Sequence, residues 1–167
     1  TFEEEILQYK KHGLEFFAFW SWHDAIEPLI RKHGIRPQIW RTLRSPARGT
    51  QEEKVAAAAR GMLTIAEKTK TLGLRLGLYN HGGWGGEPEN LAAVCEALHK
   101  LGHDHVGIVY NFHHGHGHVT DFAKCLELMK PHLLCINLNG MSGSQNFQKI
   151  LPIGRGRNEE AMMKAIL

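Results

Sequence analysis

Apolar residues gather in short runs, at 15–20 (EFFAFW), 37–43 (PQIWRTL), 74–80 (LRLGLYN), 105–111 (HVGIVYN), 133–139 (LLCINLN) and 150–154 (ILPIG). Largely continuous apolar character, rather than strict alternation, marks a strand covered on both faces, so these runs predict buried strands. Between them the period changes to that of a helix. Residues 51–72 place Val55, Ala59, Met62, Ala66 and Leu72 on one stripe. Residues 89–101 do the same with Leu91, Val94, Leu98 and Leu101, and 119–130 with Phe122, Cys125 or Leu126, and Met129. Gly13, Gly34, Gly73 and Gly102 each stand where a helix must stop before the next strand.

Strand and helix therefore alternate, which predicts an α/β fold built on a parallel sheet. No glycine-rich dinucleotide fingerprint follows the first strand, which favours a barrel over a doubly wound sheet. A (β/α)8 barrel needs about 250 residues, and this chain has 167. The expectation is a single incomplete domain over 1–167, a partial TIM barrel holding about strands 2 to 7 with their helices. The chain opens inside a helical pattern (TFEEEILQYKKHG) and stops inside another (NEEAMMKAIL), so the expectation is a fragment whose true N-terminus, and the targeting signal with it, is missing.

Composition narrows the class. The hydrophobic share of 43% and charged share of 22% are those of a globular protein. Net charge is +3, but Lys and Arg are interspersed with Asp and Glu, which argues against a nucleic-acid partner. No apolar run is long enough to span a membrane. Cys95, Cys125 and Cys135 lie in apolar patterns without C-x-x-C spacing, so buried free thiols and a reducing compartment, the cytoplasm, are the expectation. Twelve histidines are many for this length, and they cluster.

In a parallel βα fold the loops after the strands share one face, where active sites are built. Those loops carry the unusual residues here. WSWHDA holds His23 and Asp24, with Ser21 and Asp24 spaced as a capping box. RTLRSPARGT holds Arg41, Arg44 and Arg48, either a phosphate clamp or a solvated loop. In YNHGGWGG, His81 is a candidate ligand or donor and Trp84 a candidate wall against a sugar ring; the bland alternative packs both on the rim. In NFHHGHGH, His114, His116 and His118 share a side if the segment stays extended. That reads as a metal or sugar-hydroxyl site, or as a solvated Gly-His loop. GRGRN precedes a helix start that Asn158, Glu159 and Glu160 already satisfy.

The order GLYNHGG, GIVYNFHHGH, LLCINLNGM, PIGRG resembles the xylose isomerase-like TIM barrels, a group of sugar phosphate isomerases and epimerases with related apurinic endonucleases. The resemblance spans nearly the whole chain. It implies a divalent metal (Mn, Mg, Zn or Co) held by strand-end carboxylates and histidine, and proton transfer next to a carbonyl. Residue by residue, the family's first glutamate falls at Tyr79 and its aspartate at Asn111, with His114 retained three positions on. Its next histidine and aspartate fall at Asn137 and Gly140. Nearly all the charge is gone, and Asn neither takes a proton at neutral pH nor holds a cation as Asp does.

The resulting expectation is a sugar or sugar-phosphate isomerase/epimerase-like protein with a small-molecule carbohydrate ligand. His114 and Tyr79 are its catalytic candidates; Asn111, Asn137, Asn139, His81, Trp84 and His23 are its binding candidates. Metal candidates are His114, His116 and His81. Two alternatives stand beside it: a non-catalytic carbohydrate-binding barrel that lost the metal carboxylates, and an endonuclease-like repair enzyme, which this chain's lack of carboxylate-rich positions disfavours.

Overall fold

The structure is a computed structural model that describes residues 1–142 and 150–167. Five strands form one parallel sheet: β1 (Ala18–Trp20), β2 (Gln38–Thr42), β3 (Leu76–Tyr79), β4 (Val106–Asn111) and β5 (Leu133–Asn137). Their spatial order is their chain order, with no reversal, so the sheet curls as a sector of a TIM barrel and has no switch point. The helices are α1 (Phe2–Lys11), α2 (Ile26–His33), α3 (Gln51–Thr71), α4 (Pro88–Lys100), α5 (Phe122–Met129) and α6 (Glu159–Ile166). Gly34 caps α2 in the left-handed region, and Gly13, Gly73 and Gly102 take positive φ just past α1, α3 and α4.

The expected sixth strand at 150–154 does not join the sheet. Leu151 makes one antiparallel bridge, to Gly140. Pro152 removes a ladder donor and Gly154 turns at φ 84°, so this apolar run lacks the means to propagate pairing. The capping box expected from Ser21 and Asp24 is also absent: the N-cap of α2 is Ala25, which makes no side-chain capping bond. Arg41 donates to Ser21 Oγ (2.7 Å), and Asp24 accepts from the Trp22 indole (3.0 Å). Asn158 occupies the N-cap position of α6 without capping it and instead donates to Ser142 O at 3.0 Å.

The main core lies between the outer face of the sheet and the helices. Ile39, Leu76, Leu78, Ile108 and Tyr110 meet Met62 and Ala66 of α3, Leu91, Val94 and Leu98 of α4, and Phe122 and Met129 of α5. Strand alternation sends the intervening residues to the inner face, where Trp40, Tyr79 and Val109 form a second buried cluster. Gly77 belongs to that face because a Cβ there would run into Val109 and Trp40. Cys95 and Cys125 are buried as expected, whereas Cys135, on the inner side of β5, is half-buried.

Candidate functional site

Three strand ends build the site. Tyr79 closes β3 on the inner face, and Asn111 and Asn137 end β4 and β5 opposite one another in register. The Asn111 amide donates to the Tyr79 hydroxyl at 2.6 Å. Asn80, fully buried, clasps the neighbouring strand: its Oδ1 accepts from Asn111 N–H (2.7 Å) and its amide donates to Asn111 O (3.1 Å). Buried carboxamides persist only when bonded in this way, and this one locks the β3 and β4 ends together.

The loop after β4 then delivers an imidazole. Asn111 Oδ1 accepts from His113 N–H at 2.8 Å, which starts a 3-10 turn over Phe112–His114. The turn sets His114 edge-on to Tyr79, ring centroids 5.7 Å apart, and 4.5 Å from the His81 ring. Trp20 also packs on Tyr79, ring centroids 4.2 Å apart, and the residue is 56% exposed, which leaves aromatic surface open to a ligand.

The segment 112–118 is not extended, and the expected common face of its histidines does not form. Two successive 3-10 turns separate them. His116 folds back into the protein, its Nδ1 on His113 O (2.7 Å) and its Nε2 on Ser142 Oγ (3.4 Å). His118 turns outward to Glu87 and Asp121. Of the three expected metal ligands, only His81 and His114 come together.

Other candidates also lie apart. His23 packs against Phe2 of α1 at 5.3 Å and its Nδ1 accepts from Ala25 N–H. Trp84 donates to Gln51 of α3 (2.9 Å) and packs with the outer core, so it is no wall of the pocket. The glycines around it serve packing: Gly82 and Gly83 have positive φ, and a Cβ on Gly85 would run into Leu43 O. Asn139 is buried and donates to Gly140 O and Met141 Sδ. Residues 143–146 of NLNGMSGSQN lie outside the described residues.

Burial first, then the imidazoles of His81, His113 and His116, push His114 down to about 4. Burial raises Tyr79, partly offset by the bond from Asn111. At neutral pH both keep their uncharged forms, beside two carboxamides. The donor set does not fit a Mg²⁺ or Mn²⁺ centre, which requires several hard oxygen ligands. Among the described residues, the one group of three or more His, Cys, Asp or Glu with converging ligand atoms lies elsewhere, at His118, Asp121 and Cys125.

No protein-family model matches the sequence, and no curated protein matches it. Solved structures do. A D-tagatose 3-epimerase-like protein superposes with a TM-score of 0.67 at 13% identity, over 98% of this chain and 70% of that one. The probable 3-DHS dehydratase AsbF involved in petrobactin synthesis from Bacillus anthracis gives 0.62 at 15%, over 96% and 69%. The 3-keto-D-glucoside 4-epimerase YcjR from E. coli, in its apo form, gives 0.53 at 15%, over 98% and 82%. The shared feature is the fold: this chain forms a sector of a TIM barrel like theirs. In this barrel sector the sites that sequence reading overlooked are Asn80, His113, Trp20 and Trp40. The tryptophans were visible as the alternate positions of their strands; Asn80 only as an amide directly after a buried run.

Proposed function

We propose that the strand-end pocket binds a sugar or sugar phosphate and that the protein is an isomerase/epimerase-like barrel acting next to a carbonyl. The observation that carries this reading is the contact of three groups on adjacent strand ends: neutral His114, its Tyr79 neighbour, and the Asn111 amide bonded to that phenol. A neutral imidazole can accept a proton from the carbon beside the carbonyl and return it. The Tyr79 oxygen already accepts from Asn111, which leaves its own proton to donate to the carbonyl oxygen as charge develops there. The carboxamides of Asn111 and Asn137 suit sugar hydroxyls, and the exposed face of Trp20 suits the apolar face of a sugar ring. Proton transfer in this reading falls on the side chains, since no carboxylate stands at these strand ends.

A second reading has its own support. A base pushed down to about 4 is weak, and an uncharged imidazole and phenol beside two carboxamides suit holding a polyhydroxylated ligand without reaction. Isotope exchange at the carbon next to the carbonyl of ketose sugars and their phosphates, with calorimetric binding and metal analysis, separates the two. Exchange that disappears in His114→Ala supports the isomerase/epimerase. Saturable binding without exchange supports the binding protein. Neither binding nor exchange with any of them removes the pocket from consideration.

A further inference from the structure

The histidine-rich loop has an outward end that the pocket does not use. We propose that His118, Asp121 and Cys125 form a binding site for a d-block dication of the Zn²⁺ or Co²⁺ kind, separate from the strand-end pocket. The three follow one another at spacings of three and four residues, from the last 3-10 turn into the first turns of α5. Their ligand atoms lie within 4.8 Å of one another. His118 Nδ1 stands 3.2 Å from Asp121 Oδ1 and 3.4 Å from Cys125 Sγ. Tetrahedral Zn²⁺ with ordinary bond lengths separates nitrogen from oxygen by about 3.3 Å and nitrogen from sulfur by about 3.6 Å. These two edges of the polyhedron are already at their working lengths. The donors are one imidazole, one carboxylate and one thiol, a set suited to a borderline metal and poor for Mg²⁺ or Ca²⁺.

Three further observations point the same way. Glu87, at the start of α4, lies 2.9 Å from His118 Nε2. A carboxylate on that nitrogen fixes the tautomer that leaves Nδ1 free to ligate, the usual support of a metal-bound histidine. Asp121 sits at the N-cap of α5 yet makes no capping bond with its side chain. Its carboxylate is spent on His118 instead, forgoing a local stabilisation that Asp provides at such positions. Finally, the Tyr110 hydroxyl is fully buried and has no hydrogen-bond partner among the described residues. It lies under the same histidine-rich loop, where a Cβ on Gly115 would run into it. Three protein ligands leave a fourth position for water.

Without metal, burial first and then neighbouring carboxylates hold the Cys125 thiol up at about 11, and Glu87 and Asp121 outweigh burial to raise His118. A cation would displace both protons, so its affinity grows with pH. Bound there, it would tie the histidine loop to the starts of α4 and α5.

Titration of the full chain with Co²⁺ at mildly alkaline pH tests this. One equivalent should produce a thiolate-to-cobalt charge-transfer band. That band should vanish in Cys125→Ser, and Asp121→Asn, at an exposed side chain, should weaken it with the fold intact by circular dichroism. It should persist in Cys135→Ser and Cys95→Ser. Glu87→Gln should weaken Co²⁺ binding by about 10–100-fold. Persistence of the band in His114→Ala separates this site from the pocket, so either reading can fail alone. Failure of the wild type to take up Co²⁺, or a band that survives Cys125→Ser, overturns the proposal and leaves His118 as an imidazolium between two carboxylates.

Discussion

Acidification should cost this protein stability in a window set by His114. Its ordinary value is 6.5, and in the folded chain it is pushed down to about 4, by burial first and by the imidazoles of His81, His113 and His116 after it. Between those values the unfolded chain binds a proton that the folded chain refuses, so stability rises with pH there. Above 6.5 there is no penalty; as pH falls the penalty grows, and it is complete once pH has passed below about 4. The full gap corresponds to at most about 3 kcal/mol. His114 is only part-buried, however, and solvent screening reduces this to about 1–2 kcal/mol. His105 and His132, also held low by burial, add slope of the same sign. The useful quantity is therefore the difference between wild type and His114→Gln, which cannot titrate. Urea unfolding at neutral pH and at about pH 4.5 should show the wild type losing about 1–2 kcal/mol more than the variant. Imidazole resonances followed by NMR should show one ring titrating far below the rest and absent from His114→Gln. Equal slopes in the two proteins, or a His114 resonance that titrates near its ordinary value, would refute the placement of this ring against Tyr79 and His81.

Two further outcomes follow from the same geometry. Tyr79→Phe removes the acceptor of the Asn111 amide and should cost about 0.5–1.5 kcal/mol by chemical denaturation; unchanged stability together with unchanged ligand binding would discount that bond. Glu159→Gln tests the joint between the β5 loop and α6: one buried carboxylate accepts from Met141, Gly154 and Gly156 N–H, at 2.9, 3.1 and 2.7 Å. Burial alone would raise its pKa, but these bonds outweigh it and hold it below the carboxylate range, so its contribution is present at neutral pH and lost as pH falls through the acid range. The variant should be about 1–3 kcal/mol less stable at neutral pH and less acid-sensitive; a neutral substitution would show that the backbone groups find other partners.

Much of the fold was legible in the chain. Buried parallel strands write themselves as continuous apolar runs, and helices on their outer side as stripes of period 3.6, so β1 to β5 and the order that makes a barrel sector were readable from residues such as Leu76–Tyr79 and Val106–Asn111. Tyr79, Asn111 and Asn137 were marked by the resemblance to known barrels, and the strand register then brings them to neighbouring strand ends. The loops were a different matter. Whether His114, His116 and His118 share a side depended on the backbone, and the bond from His113 N–H to Asn111 Oδ1 bent it into a turn that an extended reading could not anticipate. Trp84 was drawn away by Gln51, 33 residues earlier, and His118 by Glu87, 31 residues earlier. Periodicity is local, and so it survives in one dimension. The direction of a side chain on an irregular loop is set by whichever distant partner the fold brings within hydrogen-bonding reach, and that only the tertiary structure decides.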